Sequence, residues 1–433
     1  MPEDRHITAD DVLPAAEVRP DGVEGLGLVL AGANDAGKTV LVCGGGTKLG
    51  WGAASVRADL LLNVSDLCGF SELDPDNLTL SVAAGTPVGE VAERAKSIGR
   101  LFPLDPGTPA RATVGGVVAT GDQGARGAGY GGVRDVVLGM KAVLADGTSV
   151  KFGGRTMKNV TGYDLTRLFI GSFGVLGIIT EVTFRLLPRP SRQAVIALPL
   201  ATLARAGTIA ARIVASPLFP LCVEVVSPGF AHMVGSSVAG LTADSEDSSG
   251  CLLLAGFAGH PAAVARSLAD VGALCRDETL DGRAQTIWWD DEAETVYAAL
   301  AEARAAALSA GLPVAARVAM PQSEVWAMAE AFTATEQPGG IGPVYRLGAA
   351  RGTLDLYAAP DQGPQALSDR LALLRRQATP AGGYLVVTQG LAELDPGFEP
   401  WGDAGPSLRV MRALKQRFDP RGTLNCGRYV GGM

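Results

Sequence analysis

Val40-Leu41-Val42-Cys43-Gly44-Gly45-Gly46-Thr47-Lys48-Leu49-Gly50-Trp51-Gly52 decides how this chain is read. A short β-branched run feeds three consecutive glycines, then a hydroxyl, a cation and two more glycines. Glycine takes φ > 0 without steric cost, so successive main-chain N–H groups can turn toward one point and form an anion-binding nest. A diphosphate suits such a nest, so the loop points to a nucleotide cofactor. A doubly wound dinucleotide fold would turn straight from this loop into a helix. Gly50 and Gly52 argue against one, because glycine inside a helix costs about 1 kcal/mol relative to alanine. No acid stands out about 20 residues on for a ribose, and the Lys-Ser/Thr pair of a Walker loop is absent. An ordinary hairpin turn is the plain alternative for the loop taken alone.

Two further glycine clusters weigh against that alternative. Asp105-Pro106-Gly107-Thr108-Pro109-Ala110-Arg111-Ala112-Thr113-Val114-Gly115-Gly116-Val117-Val118-Ala119-Thr120-Gly121-Asp122-Gln123-Gly124 is the first, followed closely by Gly127, Gly129, Gly131 and Gly132. The other is Gly171-Ser172-Phe173-Gly174-Val175-Leu176-Gly177-Ile178-Ile179-Thr180-Glu181. Glycine loses more conformational freedom on folding than any other residue. Clusters at separate places therefore suggest backbone passing close to a long, flat ligand.

The order of these motifs resembles the flavin-binding half of the vanillyl-alcohol oxidase and p-cresol methylhydroxylase (PCMH) superfamily. Within it, Gly44 to Gly52 and Asn159-Val160-Thr161-Gly162-Tyr163-Asp164-Leu165-Thr166-Arg167-Leu168 resemble the FAD-binding E subunits of bacterial glycolate oxidases. Phe418-Asp419-Pro420-Arg421-Gly422-Thr423-Leu424-Asn425-Cys426-Gly427-Arg428 is similar to the tail of that family. The resemblance covers residues 25–190 and 408–430; residues 190–405 match nothing specific by motif. Phe173 departs from the pattern, standing where relatives usually carry an acid, and the flavin site is expected to survive it.

The resemblance implies an α+β protein. A PCMH-type FAD-binding domain of two α+β subdomains would occupy residues 1–190, a cap domain 191–405, and a tail 406–433 would return to the flavin domain near the isoalloxazine ring. It implies FAD contacts at Gly44, Gly45, Gly46, Thr47, Lys48, Leu49, Pro106, Thr113, Gly115, Gly116, Thr120, Gly124, Gly174, Gly177, Ile178 and Asn425. The FAD should be non-covalent, because no histidine lies in or beside the first loop. The implied reaction is hydride transfer from C2 of a small 2-hydroxy acid to the flavin, the protein supplying a base for the hydroxyl proton and a cation for the carboxylate.

Local patterns fill in the elements. Leu78–Val82 reads as a strand, Gly85-Thr86-Pro87 as a turn and Val88–Ile98 as a helix. Met140–Ser149 turns at Asp146-Gly147 into Val150-Lys151-Phe152, and Ile178–Leu187 is a long strand before Pro188-Arg189-Pro190. Ala194–Leu198, Thr202–Val214, Leu221–Val226, Leu252–Gly256, Pro261–Val271 and Ala273–Asp277 read as β, α, β, β, α, β. The order recurs at Val314–Met320, Gln322–Thr333, Val344–Leu347, Leu354–Ala358, Pro364–Gln377 and Tyr384–Thr388, which gives ferredoxin-like split βαβ units twice. Glu292–Ala310 lies between them as one alanine-rich helix, residues 235–250 read as a mobile loop, and Ser407–Phe418 is the last helix.

Composition bounds the function. At 433 residues two or three domains are expected. Apolar residues make up 47% and charged residues 19%, as in a well-buried globular chain. A formal net charge of −8 argues against nucleic acid as a partner. The N-terminus has no signal-like apolar stretch and no run reaches the roughly 18 residues needed to cross a bilayer. Six scattered cysteines without Cys-x-x-Cys speak against iron–sulfur and structural zinc sites. The expectation is a reduced, cytoplasmic protein that contacts the inner membrane only through partners.

A catalytic set is not visible. Of the three histidines, His6 lies in the leader and His232 and His260 stand alone, so no metal site is expected. Arg317, Arg346 and Arg351 sit on or beside strands of the second βαβ set; one could hold a carboxylate, but exposed strand-edge charges are the favoured reading. Tyr345 and Tyr384 stay undecided. The favoured function is therefore the FAD-holding subunit of a glycolate oxidase complex, working with a homologous flavin subunit and an iron–sulfur subunit. A self-sufficient 2-hydroxy acid dehydrogenase and a scaffold without cofactor are the alternatives.

Overall fold

The computed structural model describes residues 16–52, 58–156, 163–235, 238, 240–241, 250–275, 285–334 and 343–433. His6, Asn159–Gly162 and most of 235–250 lie outside the described residues. The chain forms two compact units: one of Met1–Gln123, Gly131–Arg189 and Asp403–Met433, the other of Gly124–Tyr130 and Pro190–Gly402.

The first unit holds two main sheets. β1 (Ala16–Val18), β2 (Val40–Cys43) and β3 (Leu60–Asn63) pair in parallel in the order β1-β3-β2. Both faces of this sheet are covered, which is why β2 and β3 are uninterrupted apolar runs rather than alternating ones. The helix Gly22–Asp35 lays Leu26, Leu30 and Ala33 against Val40 and Leu62, while Leu41, Cys43, Leu49 and Leu61 pack on the opposite side. β4 (Phe70–Asp74), β5 (Thr79–Ala83), β7 (Val137–Val143), β8 (Ser149–Gly153) and β9 (Ile178–Arg185) form an antiparallel sheet ordered β4-β5-β9-β7-β8. A short ribbon joins β6 (Arg100–Leu101) to β10 (Leu187–Pro188). Leu80, Val82, Val182 and Phe184 bury one face under the helices Val88–Ser97 and Val114–Thr120.

The second unit is built on one eight-stranded sheet. Its strands are β11 (Arg192–Leu200), β12 (Cys222–Val226), β13 (Cys251–Gly259), β14 (Thr286–Trp289), β15 (Val314–Ala319), β16 (Val344–Gly348), β17 (Thr353–Ala358) and β18 (Tyr384–Gln389). The order β14-β11-β13-β12-β16-β17-β15-β18 is antiparallel throughout. Each half has the strand order of a ferredoxin-like split βαβ unit, and the halves meet where β12 pairs with β16. Helices Leu203–Ala215, Pro261–Leu274, Val325–Thr333 and Pro364–Ala378 cover one face; Pro228–Gly235, Asp291–Ala301 and Ala303–Ser309 cover apolar residues of the other.

Three element expectations change. Ala273 and Leu274 end the helix begun at Pro261, because the apolar stripe Val264, Leu268, Val271 runs on at helical spacing. The fourth strand of the first half is Thr286–Trp289 instead. Pro228–Gly235 is a helix absent from the sequence reading. The expected helix Glu292–Ala310 is broken at Glu302, where the Arg346 guanidinium donates to Leu300 O at 2.7 Å. That carbonyl is the acceptor an unbroken helix would need four residues on.

Candidate functional site

A cavity of about 790 Å³, counted to its open mouth, lies in the first unit at the end of β2. Gly44, Gly45, Gly46, Thr47, Lys48, Leu49, Thr113, Gly115, Gly116, Thr120, Gly174, Gly177, Ile178 and Asn425 all line it. Of the sequence-predicted residues, Pro106 and Gly124 do not. Gly124 belongs to the second unit, where its carbonyl accepts from Arg351 Nη1.

The glycine loop leaves β2 as linked turns, with Leu49 N–H on Gly46 O at 3.3 Å and Trp51 N–H on Lys48 O at 3.1 Å, and no helix begins. Among the described residues no oxygen accepts the main-chain N–H of Gly45, Gly46 or Thr47, and the Gly46 N–H has only the weak Cys43 thiol as a partner. Donors without an oxygen partner at the wall of a cavity suit an anionic ligand, and the amide set fits a diphosphate. The reason for the glycines is partly different from the sequence argument. A Cβ on Gly45 would collide with Arg111 O. Gly174, at φ +69°, would bring one within 2.7 Å of Asn425 Nδ2. Bare backbone here lets three distant loops close on one another and make the wall.

Charged and polar side chains then fix that wall. Lys48 Nζ lies 2.6 Å from Asp122 Oδ2, both largely buried, so the loop cation is held by a carboxylate. Asn425, at φ +46°, accepts Val42 N–H through Oδ1 at 2.9 Å and donates through Nδ2 to Phe173 O at 2.7 Å. Around it the tail extends the small sheet: Val40 N–H donates to Thr423 O, and Asn425 N–H to Val40 O. Arg428 lines the same cavity, and its Nη2 donates to Leu49 O (2.8 Å), Trp51 O (2.6 Å) and Lys48 O (3.4 Å). Burial lowers its pKa to about 10, so it remains charged at neutral pH. Phe173, the departure from the family pattern, stacks on Tyr429 with centroids 5.2 Å apart and meets Trp51 at 5.9 Å. An aromatic trio thus stands beside the cavity.

Arg428, Phe173, Cys43, Val42, Val64, Ala84, Ala119 and Ile179 line the cavity without having been singled out as contacts. Arg428 stood in the tail motif and Phe173 in the third cluster, so position in a motif was their only signal.

The second unit corrects the arginine reading. Arg317 and Arg346 lie on interior strands, not sheet edges. Arg317 grips Asp355 through Nε and Nη2 at 2.6 and 3.0 Å, and Arg346 Nη2 reaches the same carboxylate at 2.6 Å. Glu224 lies 3.8 Å from Arg346 Nε. Period-two alternation puts all four on one sheet face, opposite Val223, Ala316, Leu347 and Leu354. Burial opposes ionisation of Asp355, but the two guanidiniums hold it well below the usual carboxylate range. Glu224 is pushed up by burial, which outweighs Arg346. His232 is exposed and His260 Nδ1 caps a helix by accepting Ala262 N–H at 3.3 Å. Tyr345 is buried and Tyr384 exposed. Among the described residues no three His, Cys, Asp or Glu side chains cluster as metal ligands.

Sequence comparison agrees with this architecture. Residues 14–153 match the family described as FAD binding domain, and 189–348 that of FAD linked oxidases, C-terminal domain. The chain belongs to the PCMH-type FAD-linked oxidoreductases, and FAD is its cofactor. Over 426 residues it is 28% identical to glycolate oxidase subunit GlcD of Bacillus subtilis, covering 96% of this chain and 89% of that one. It is 35% identical over 223 residues to a D-lactate dehydrogenase of Archaeoglobus fulgidus (52% of this chain, 49% of that one), and 42% over 123 residues to glycolate oxidase subunit GlcE of Escherichia coli (28% and 35%). The solved structure of alkyldihydroxyacetonephosphate synthase shares the fold at TM-score 0.67 and 17% identity, covering 94% of this chain and 76% of that one.

Proposed function

We propose that this protein is the FAD-holding subunit of a complex that oxidises a small 2-hydroxy acid such as glycolate, with the cofactor bound non-covalently in the cavity of the first unit. The observation that supports it is the convergence of the three glycine clusters and the tail on one cavity, with amide donors left for a diphosphate. In that reading Gly45, Gly46 and Thr47 donate to the phosphates, and Asn425 and Phe173 border the remainder of the cofactor. When bound, the flavin takes up the electrons of the oxidation. The partners would be a homologous flavin subunit and an iron–sulfur subunit; similarity to two different glycolate oxidase subunits supports an assembly of related chains. Resemblance to the E subunit rests on local identity, whereas similarity along most of the chain is to a D subunit. Purified alone, the protein should absorb near about 450 nm, release its flavin on denaturation and turn over glycolate only when its partners are added. Rapid steady turnover by the isolated chain would rule the reading out.

The D-lactate dehydrogenase relationship favours a second reading, a self-sufficient D-2-hydroxy acid dehydrogenase. Anaerobic stopped-flow mixing of the flavoprotein with glycolate, D-lactate and D-2-hydroxyglutarate separates the two, since only this second reading predicts bleaching without partners.

A further inference from the structure

Arg428 joins two segments far apart in the chain. Its Nη2 collects the carbonyls of Lys48, Leu49 and Trp51, which follow directly on the amides of Gly45, Gly46 and Thr47. A peptide carbonyl and the next N–H belong to one planar unit. Fixing three carbonyls on one guanidinium therefore limits how this stretch of backbone can rotate, in a loop whose glycines impose little limit themselves. Arg428 also lines the cavity, so its positive charge lies beside whatever those amides hold. Lys48, the loop's own cation, is engaged with Asp122 at 2.6 Å.

We propose that Arg428 is the positioning residue of the cofactor loop: it holds the glycine turns in the shape that receives the dinucleotide's diphosphate and adds positive charge beside it. This rests on the reading that places the diphosphate at Gly45–Thr47. The tail thereby becomes part of cofactor recognition. A guanidinium is suited to the task because its planar donors reach several oxygens at once, where an ammonium acts as a point charge.

The test uses the full-length apoprotein, with Arg428→Lys keeping the charge but not the planar fork, and Arg428→Met removing both. FAD binding is titrated by flavin fluorescence, ADP and adenosine are used as competitors, and melting of each apoprotein is recorded. FAD and ADP should each bind at least about tenfold more weakly to R428K, and more weakly still to R428M, with adenosine unchanged. Hydrogen exchange of the Leu49 and Trp51 amides, which are bonded to Gly46 O and Lys48 O, should rise in apo R428K above that of the parent. An R428K variant that binds FAD and ADP like the parent would overturn the proposal, as would an equal loss for adenosine, which marks general collapse. Should R428M not fold, R428K with the exchange measurement decides alone. A parent that binds no FAD refutes the assignment of the cavity; a parent that binds it and an R428K that binds it equally well refutes only the role of Arg428.

Discussion

Gly45 has no room for even one methyl group, because Arg111 O stands where the Cβ would be. Gly45→Ala must push the first two glycine clusters apart, and overpacking of this kind costs about 1–3 kcal/mol or more. The expected result is a lower melting temperature together with loss of FAD, read by differential scanning and flavin fluorescence. Asp355 stabilises the second unit through charge. Asp355→Asn leaves Arg317 and Arg346 buried without their shared carboxylate, so a loss of about 3–5 kcal/mol is expected in urea unfolding. Glu224 gives a pH signature of the opposite sign to a paired acid. Its folded pKa is raised, so between the ordinary glutamate value of about 4.5 and that higher value the folded state binds more protons than the unfolded one. Its contribution to stability therefore falls as pH rises through that window. Glu224→Gln should flatten this part of the stability–pH curve; an unchanged slope would show that Glu224 does not titrate there.

The tail segment bridged to β2 is the element on which the site depends. Asn425→Ala removes the acceptor of Val42 N–H and the donor to Phe173 O together. A loss of about 1–3 kcal/mol and weaker FAD binding are expected, measured by melting and titration. The same element shows what could be read in advance. Strands such as Thr79–Ala83 and Val314–Ala319, and helices such as Val88–Ser97, were legible because their period and their turn residues are local. Ala273–Asp277 was misread because a helix that ends in apolar residues looks like a short buried strand, whereas Thr286–Trp289 has only four residues to declare itself. In the site, the glycine loop was legible as a local motif. The Lys48–Asp122 pair, the Arg428 grip and the aromatic trio join positions far apart in sequence, and such contacts leave no period in either segment.

Across the whole molecule, each unit has a core of its own. Two-state unfolding is not the expectation for such a chain. Scanning calorimetry of the apoprotein should show two resolvable transitions, only one of which moves with cofactor. FAD at about 100 times its Kd stabilises the unit that binds it by about 2.7 kcal/mol. For a unit of roughly 200 residues that corresponds to a rise of about 5–10 °C. A single transition shifting as a whole would mean that the units unfold as one.

The pairing of β12 with β16 has a further effect. Two separate four-stranded sheets would present four open margins, each a row of unmet amides and carbonyls able to recruit another chain. Fusion in the middle removes two of these and, among the described residues, leaves the outer sides of β14, four residues long, and β18. Cutting the chain between the halves would bring both lost margins back, so each half alone should self-associate more strongly than the intact protein.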